Sequence, residues 1–153
     1  MSQNDEQYLN DVQAIWESEV TTIMNVTDVL PALVIQPISL AMISQMSKNG
    51  GNALGITAAN GPLVLINTSV TWTYTSDDAL ISAFASNFIS RTVALGKSRG
   101  VWNRYIYQNY AGQPQDVFTG YGPVSKAKLV ATHAKYDPTN VFTNLQPGYF
   151  KIN

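Results

Sequence analysis

The stretch RYIYQNYAGQPQDV (residues 104–117) sets Tyr105, Tyr107 and Asn109 at alternate positions and ends its apolar part on Tyr110. Alternate side chains of an extended chain share one face, so this spacing predicts a strand that carries two phenols and a carboxamide before a polar Gly/Pro loop. A phenol O–H and a carboxamide N–H both donate hydrogen bonds. Donors aimed at a carbonyl oxygen stabilise the charge that gathers there during reaction. The same residues also suit plain packing, because aromatic side chains favour strands and a buried hydroxyl needs a partner but not a ligand.

Other residues compete for a chemical role. Gln36 stands between Ile35 and Pro37 in an apolar run, and a buried amide must be satisfied, so contact with a ligand is one reading of it. Trp72 on a strand and Trp16 on the first helix offer aromatic surface to a substrate, or else belong to the core. His133 is the only histidine and the only side chain whose ordinary titration lies near neutrality; among Lys126, Lys128 and Lys135 it reads as a solvated helix residue. Asp77 and Asp78 stand at a helix start, where carboxylates cap and complement the dipole. GGNALG (50–55) lacks the spacing of a phosphate loop and reads as a turn. With no cysteine, thiolate metal sites, disulfides and cysteine nucleophiles are excluded. No metal site and no cofactor site is expected.

These groups need elements to position them. The 153 residues carry 45% hydrophobic and 12% charged residues at a net charge of -1, which fits one domain, excludes a basic nucleic-acid footprint and favours an uncharged or apolar ligand. The start MSQNDEQYLND has no apolar signal core, and no run reads as a membrane span. The expectation is a cytoplasmic protein with no membrane partner, its sequons at Asn25 and Asn67 unused.

Apolar residues at helical spacing predict an amphipathic helix over 5–24. VLPALVIQPIS (29–39) is a strand whose two prolines place it at or near a sheet edge. A short helix follows at LAMISQM. Residues 63–74 form a long strand with Val64, Ile66, Val70, Trp72 and Tyr74 on one face, and Ser76 caps a main packing helix that ends near Gly96 to Gly100. A third strand over 104–110, a helix over 125–136 and an irregular tail complete the chain. The order predicts an α+β protein, a small antiparallel or mixed sheet packed by helices. So small a sheet leaves apolar surface, which points to a homodimer.

Four stretches in order, GGNALG (50–55), SVTWTYTSDDA (69–79), YIYQNYAGQPQDVFTGYG (105–122) and AKYDPTNVFTNLQPGYFK (134–151), resemble the C-terminal part of fungal FAD-linked oxidases of the berberine-bridge-enzyme type. The ending departs from that family's pattern at Tyr149, where a second glycine is usual. The resemblance covers roughly residues 29–151, leaving 1–28 as an added N-terminal helix. It implies a ferredoxin-like substrate-domain remnant within a single domain (1–153) that lacks the FAD-binding domain and the oxidase activity. It also implies that Tyr107, Asn109 and Tyr110 derive from a wall beside the flavin.

The expected function is a cofactor-free cyclase, a pericyclase of Diels–Alder type, acting on a hydrophobic small molecule in fungal secondary metabolism. Tyr107, Asn109 and Tyr105 would be its catalytic residues, with Gln36, Trp72, Tyr110 and Trp16 lining the substrate. A cycloaddition needs a folded substrate and one hydrogen-bonded carbonyl, but no proton shuttle. A partner subunit of a separate flavoprotein and an acid/base isomerase are the alternatives.

Overall fold

The computed structural model describes residues 1–148 and 150–152; Tyr149 lies outside the described residues. In chain order the elements are β1 (Ser2–Gln3), α1 (Glu6–Val20), β2 (Leu30–Ile38), α2 (Leu40–Gln45), β3 (Leu63–Thr71), α3 (Asp78–Ser98), α4 (Val117–Gly120), α5 (Pro123–Tyr136) and α6 (Val141–Leu145). The protein is α+β, with a three-stranded antiparallel sheet of order β1-β3-β2. The chain folds as two compact units, Met1–Ile38 with Pro62–Asn103 and Ser39–Gly61 with Arg104–Asn153.

In the first unit, Asp5 caps α1 by accepting the Tyr8 N–H at 2.7 Å. Four-residue spacing then lines Tyr8, Val12 and Val20 along one buried face. That face meets α3, whose Ile81, Phe84, Phe88, Thr92 and Gly96 recur at the same period. Full burial of side chains such as Phe84 and Phe88 stabilises by about 1.5–3 kcal/mol each. At Gly96 a methyl group would stand 3.3 Å from the Tyr8 hydroxyl, so the glycine admits that phenol, whose O–H donates to the Thr92 carbonyl at 3.1 Å. Arg91 pairs with Glu19 at 2.6 Å across the two helices. By length and composition the helical stretch Thr75–Ser98 is apolar enough to cross a bilayer, contrary to the sequence expectation; in the fold its apolar stripe is spent on α1 and the sheet.

β2 pairs with β3 from Leu30↔Thr71 to Ile38↔Leu63. It is an edge strand, as Pro31 and Pro37 require, since neither has an N–H to give a second neighbour. Leu33, Ile66 and Val70 pack with the helices, so the opposite face carries Gln36, Leu65 and Asn67.

Four expectations fail here. No strand forms over 104–110: β3's second edge is taken by β1, through Ser2↔Val64 and Gln3↔Leu63. In place of a ladder, Gln108–Tyr110 closes a 3-10 turn in which the Tyr110 N–H donates to the Tyr107 carbonyl at 3.0 Å. Ser76 is not the cap of α3, because Thr75–Asp77 form a 3-10 turn that runs straight into it. Nor do Asp77 and Asp78 cap it: Asp77 makes no side-chain capping bond, and Asp78 accepts the Trp72 indole N–H at 2.7 Å. β3 itself ends at Thr71, before Trp72 and Tyr74.

In the second unit the core gathers Ile43, Ile56, Tyr105, Val117 and Tyr121. The GGNALG turn has a specific duty there. A Cβ at Gly55 would lie 2.0 Å from the Tyr121 carbonyl oxygen and φ is +72°, so only glycine brings this loop against residue 121. The tail is less irregular than expected. Asp137 accepts N–H bonds from Val141 (2.6 Å), Phe142 (3.1 Å) and Thr143 (3.2 Å), holding the first turn of α6.

Candidate functional site

The second unit brings four of the candidate residues together, in a geometry other than a strand ladder. Tyr105 is buried and stacks on Tyr121, ring centroids 5.5 Å apart, while Phe118 meets Tyr121 edge-on at 5.8 Å. Burial pushes the Tyr105 phenol up to about 12, helped by Tyr121 and Tyr107. Tyr105 is therefore a core residue stacked on Tyr121 that keeps its proton at physiological pH. Tyr121 was not among the sequence candidates, although it lies within the third resembling stretch; its phenol is also raised, chiefly by burial, and sits 3.5 Å from the Gln108 carboxamide oxygen.

Tyr107, Asn109 and Tyr110 form the exposed part. The 3-10 turn folds Asn109 back so that its Nδ2 donates to the Tyr107 hydroxyl oxygen at 2.8 Å. The Tyr107 and Tyr110 rings meet edge to face, centroids 4.9 Å apart. The amide occupies an acceptor direction of the Tyr107 oxygen and leaves the phenolic proton to be given to something else. With Tyr107 37% exposed and Tyr110 48% exposed, the result is an aromatic surface with one oriented O–H donor.

The other candidates lie in the first unit. Trp16 packs against both of that unit's core clusters, with its Nε1 buried and unbonded among the described residues. Trp72 is partly exposed, and its N–H is committed to Asp78. Gln36 is exposed on the edge strand, so the argument that a buried amide needs a partner does not apply to it.

His133 is not a solvated residue. Its side chain is 16% exposed, and Nε2 lies 2.9 Å from the Thr143 hydroxyl and 3.6 Å from Asp137. Burial pushes the Asp137 carboxyl up, but the three backbone N–H groups and His133 outweigh it and hold the carboxyl below its usual value. The group fastens α6 to the end of α5, with the histidine's nitrogen turned inward. Among the described residues no three imidazole or carboxylate side chains are placed to hold a metal ion.

The chain is similar to one stretch of several larger fungal proteins. It is 35% identical over 123 residues to an FAD-dependent monooxygenase, tpcD, of Cochliobolus heterostrophus, covering 80% of this chain and 24% of that protein. An oligopeptidase, PhomG', of Diaporthe leptostromiformis is 35% identical over 139 residues, 90% of this chain and 11% of its own length. A bifunctional solanapyrone synthase of Alternaria solani is 32% identical over 120 residues, 78% of this chain and 22% of its own. This chain thus spans about a quarter of the relatives named as FAD-dependent monooxygenases. No family model and no solved structure matches it.

Because relatives are named for FAD, the residues present can be tested against that group. A dinucleotide diphosphate is held by glycine-rich loops and helix N-termini. Here α1 opens on Asp5 and Glu6 and α3 on Asp77 and Asp78, which repel phosphate. α5 opens on Gly122 and Pro123, where proline removes an N–H. These three helix starts do not fit a diphosphate, whereas Tyr107, Asn109 and Tyr110 offer a surface that a flat ring could lie against.

Proposed function

We propose that the chain binds a hydrophobic, carbonyl-bearing small molecule of fungal secondary metabolism on the Tyr107–Asn109–Tyr110 surface and promotes its cyclisation, as a pericyclase of the Diels–Alder kind. The observation that carries the reading is the 2.8 Å bond from Asn109 into the Tyr107 hydroxyl oxygen. It fixes the phenol and leaves its proton to donate to a substrate carbonyl. Withdrawing charge toward that oxygen activates a conjugated alkene, while the aromatic surface folds the chain of the substrate into a reactive conformer. The electrons move within the substrate, π bonds becoming σ bonds with no atom lost, so the step needs no base and no redox partner. Similarity to a bifunctional solanapyrone synthase supports a biosynthetic role, and similarity to an FAD-dependent monooxygenase supports descent from a segment of a larger flavoprotein. An acid/base isomerase is less well supported, because the one imidazole is engaged with Thr143 and Asp137.

The test is turnover of a linear polyene carrying an unsaturated ketone, with cyclised product followed against the uncatalysed rate. Tyr107→Phe is expected to slow the reaction roughly tenfold to a hundredfold, the loss of about 1–3 kcal/mol of transition-state hydrogen bonding, and His133→Ala to leave the rate unchanged in folded protein. A silent Tyr107→Phe with an inactive His133→Ala would transfer the reading to acid/base chemistry.

A second reading rests on the quarter-length match: the chain supplies the substrate side of a larger flavoprotein. It expects the chain alone to retain no flavin and a co-purified flavin-binding polypeptide to show a changed visible spectrum when Tyr107 or Tyr110 is replaced. We also propose a homodimer, because Leu30, Phe142 and Leu145 are each more than 70% exposed; a monomer by light scattering removes that proposal.

A further inference from the structure

The chain contains two Asn-Gly pairs, Asn49-Gly50 and Asn60-Gly61. Asparagine is thermolabile, and before glycine it is most so, because no Cβ shields the next backbone nitrogen. That nitrogen attacks the side-chain carbonyl carbon, a C–N bond forms, the carboxamide C–N bond breaks and ammonia leaves. Water then opens the cyclic imide to aspartate or isoaspartate. The attack needs a free carboxamide and rotation of the backbone between the two residues.

The structure treats the pairs differently. At Asn60 the Oδ1 accepts the Thr57 N–H at 2.8 Å and lies 3.4 Å from the Thr57 hydroxyl, the Asn60 N–H donates to the Thr57 carbonyl at 2.9 Å, and the Gly61 N–H donates to Ala58 at 3.1 Å. The attacked carboxamide is thus tied into a capping box with Thr57, and the attacking nitrogen is held by the Ala58 carbonyl. At Asn49 the carboxamide has no hydrogen-bond partner among the described residues. The residue is exposed at φ +54°. Gly50 and Gly51 follow at φ +93° and +87° with nothing within 4 Å of where a Cβ would stand. Rotation there opposes no packing and breaks little beyond the Gly51 N–H bond to Lys48.

We propose that Asn49 is a site of spontaneous covalent modification, converting to aspartate and isoaspartate while the capping box protects Asn60. The product places a carboxylate beside Lys48. In the isoaspartyl form it adds one carbon to the backbone of a loop that Asn52 pins to Met46 at 2.8 Å and that ends at Gly55 against Tyr121. The proposal is independent of the cyclase reading.

It is tested by incubating the folded protein at mildly alkaline pH, then locating conversion by fragment-ion mass spectrometry and isoaspartyl content by an isoaspartate methyltransferase. Conversion is expected at Asn49 well before Asn60, methyl labelling is expected to vanish in Asn49→Ser, and unfolding in urea is expected to accelerate Asn60 far more than Asn49. Conversion at Asn60 as fast as at Asn49 in the folded protein overturns it, as does methyl labelling that survives Asn49→Ser.

Discussion

A single carboxamide sets the direction of the Tyr107 proton, and comparable one-atom effects occur elsewhere. Thr68 lies on the helix-facing side of β3 between Ile66 and Val70, its hydroxyl buried and unbonded among the described residues. A buried hydroxyl without a partner costs its desolvation, whereas an apolar group of the same shape does not. Thr68→Val is therefore expected to raise stability by about 1 kcal/mol, seen as a higher urea midpoint at unchanged slope; a lower midpoint would show that the hydroxyl is satisfied in solution. Residue types pointed to Tyr107 and Asn109 from the sequence alone. Their pairing did not emerge there, because a two-residue spacing reads as alternation in a strand and as contact only in a turn.

At the scale of elements, close approaches decide which segments meet. Gly55, at positive φ with the Tyr121 carbonyl in the place of a Cβ, is the narrowest of them. Gly55→Ala is expected to destabilise the second unit by more than about 2 kcal/mol, backbone strain and clash together, and to loosen the Tyr105–Tyr121 stack. Amide exchange should rise across 104–122 while α1 and α3 keep their protection; unchanged exchange there would mean that the loop can yield. The helices and the proline-bearing edge strand were legible in the sequence because periodicity and missing N–H groups are local. The 104–110 strand was misread because β1 and β2 already flank β3, which is a property of the whole sheet.

For the molecule as a whole, each unit contains a phenol that folding keeps neutral. Burial raises Tyr8 in the first unit and Tyr105 in the second to about 12, against about 10 in the unfolded chain. The folded state holds these protons more tightly. Their contribution is thus complete below about pH 10 and is lost as pH rises to about 12, up to roughly 2–3 kcal/mol for each group. Urea midpoints should fall steeply through that window, and Tyr8→Phe should flatten the fall. A midpoint independent of pH up to about 12 would contradict the burial of both phenols.

The amino-acid sequence by itself determined the α+β class, the amphipathic faces of α1 and α3, the edge position of β2, and the concentration of phenols and amides in residues 105–110. These follow from side-chain period and from the few residues that forbid a backbone state. Tertiary structure alone decided that Ser2–Gln3 completes the sheet, that Asn109 bonds Tyr107, that Tyr121 underlies Tyr105, and that His133 faces Asp137 and Thr143 instead of water. Those contacts depend on how the chain packs, and hydrogen-bond satisfaction is settled across the packed unit, not by the periodicity of a sequence window.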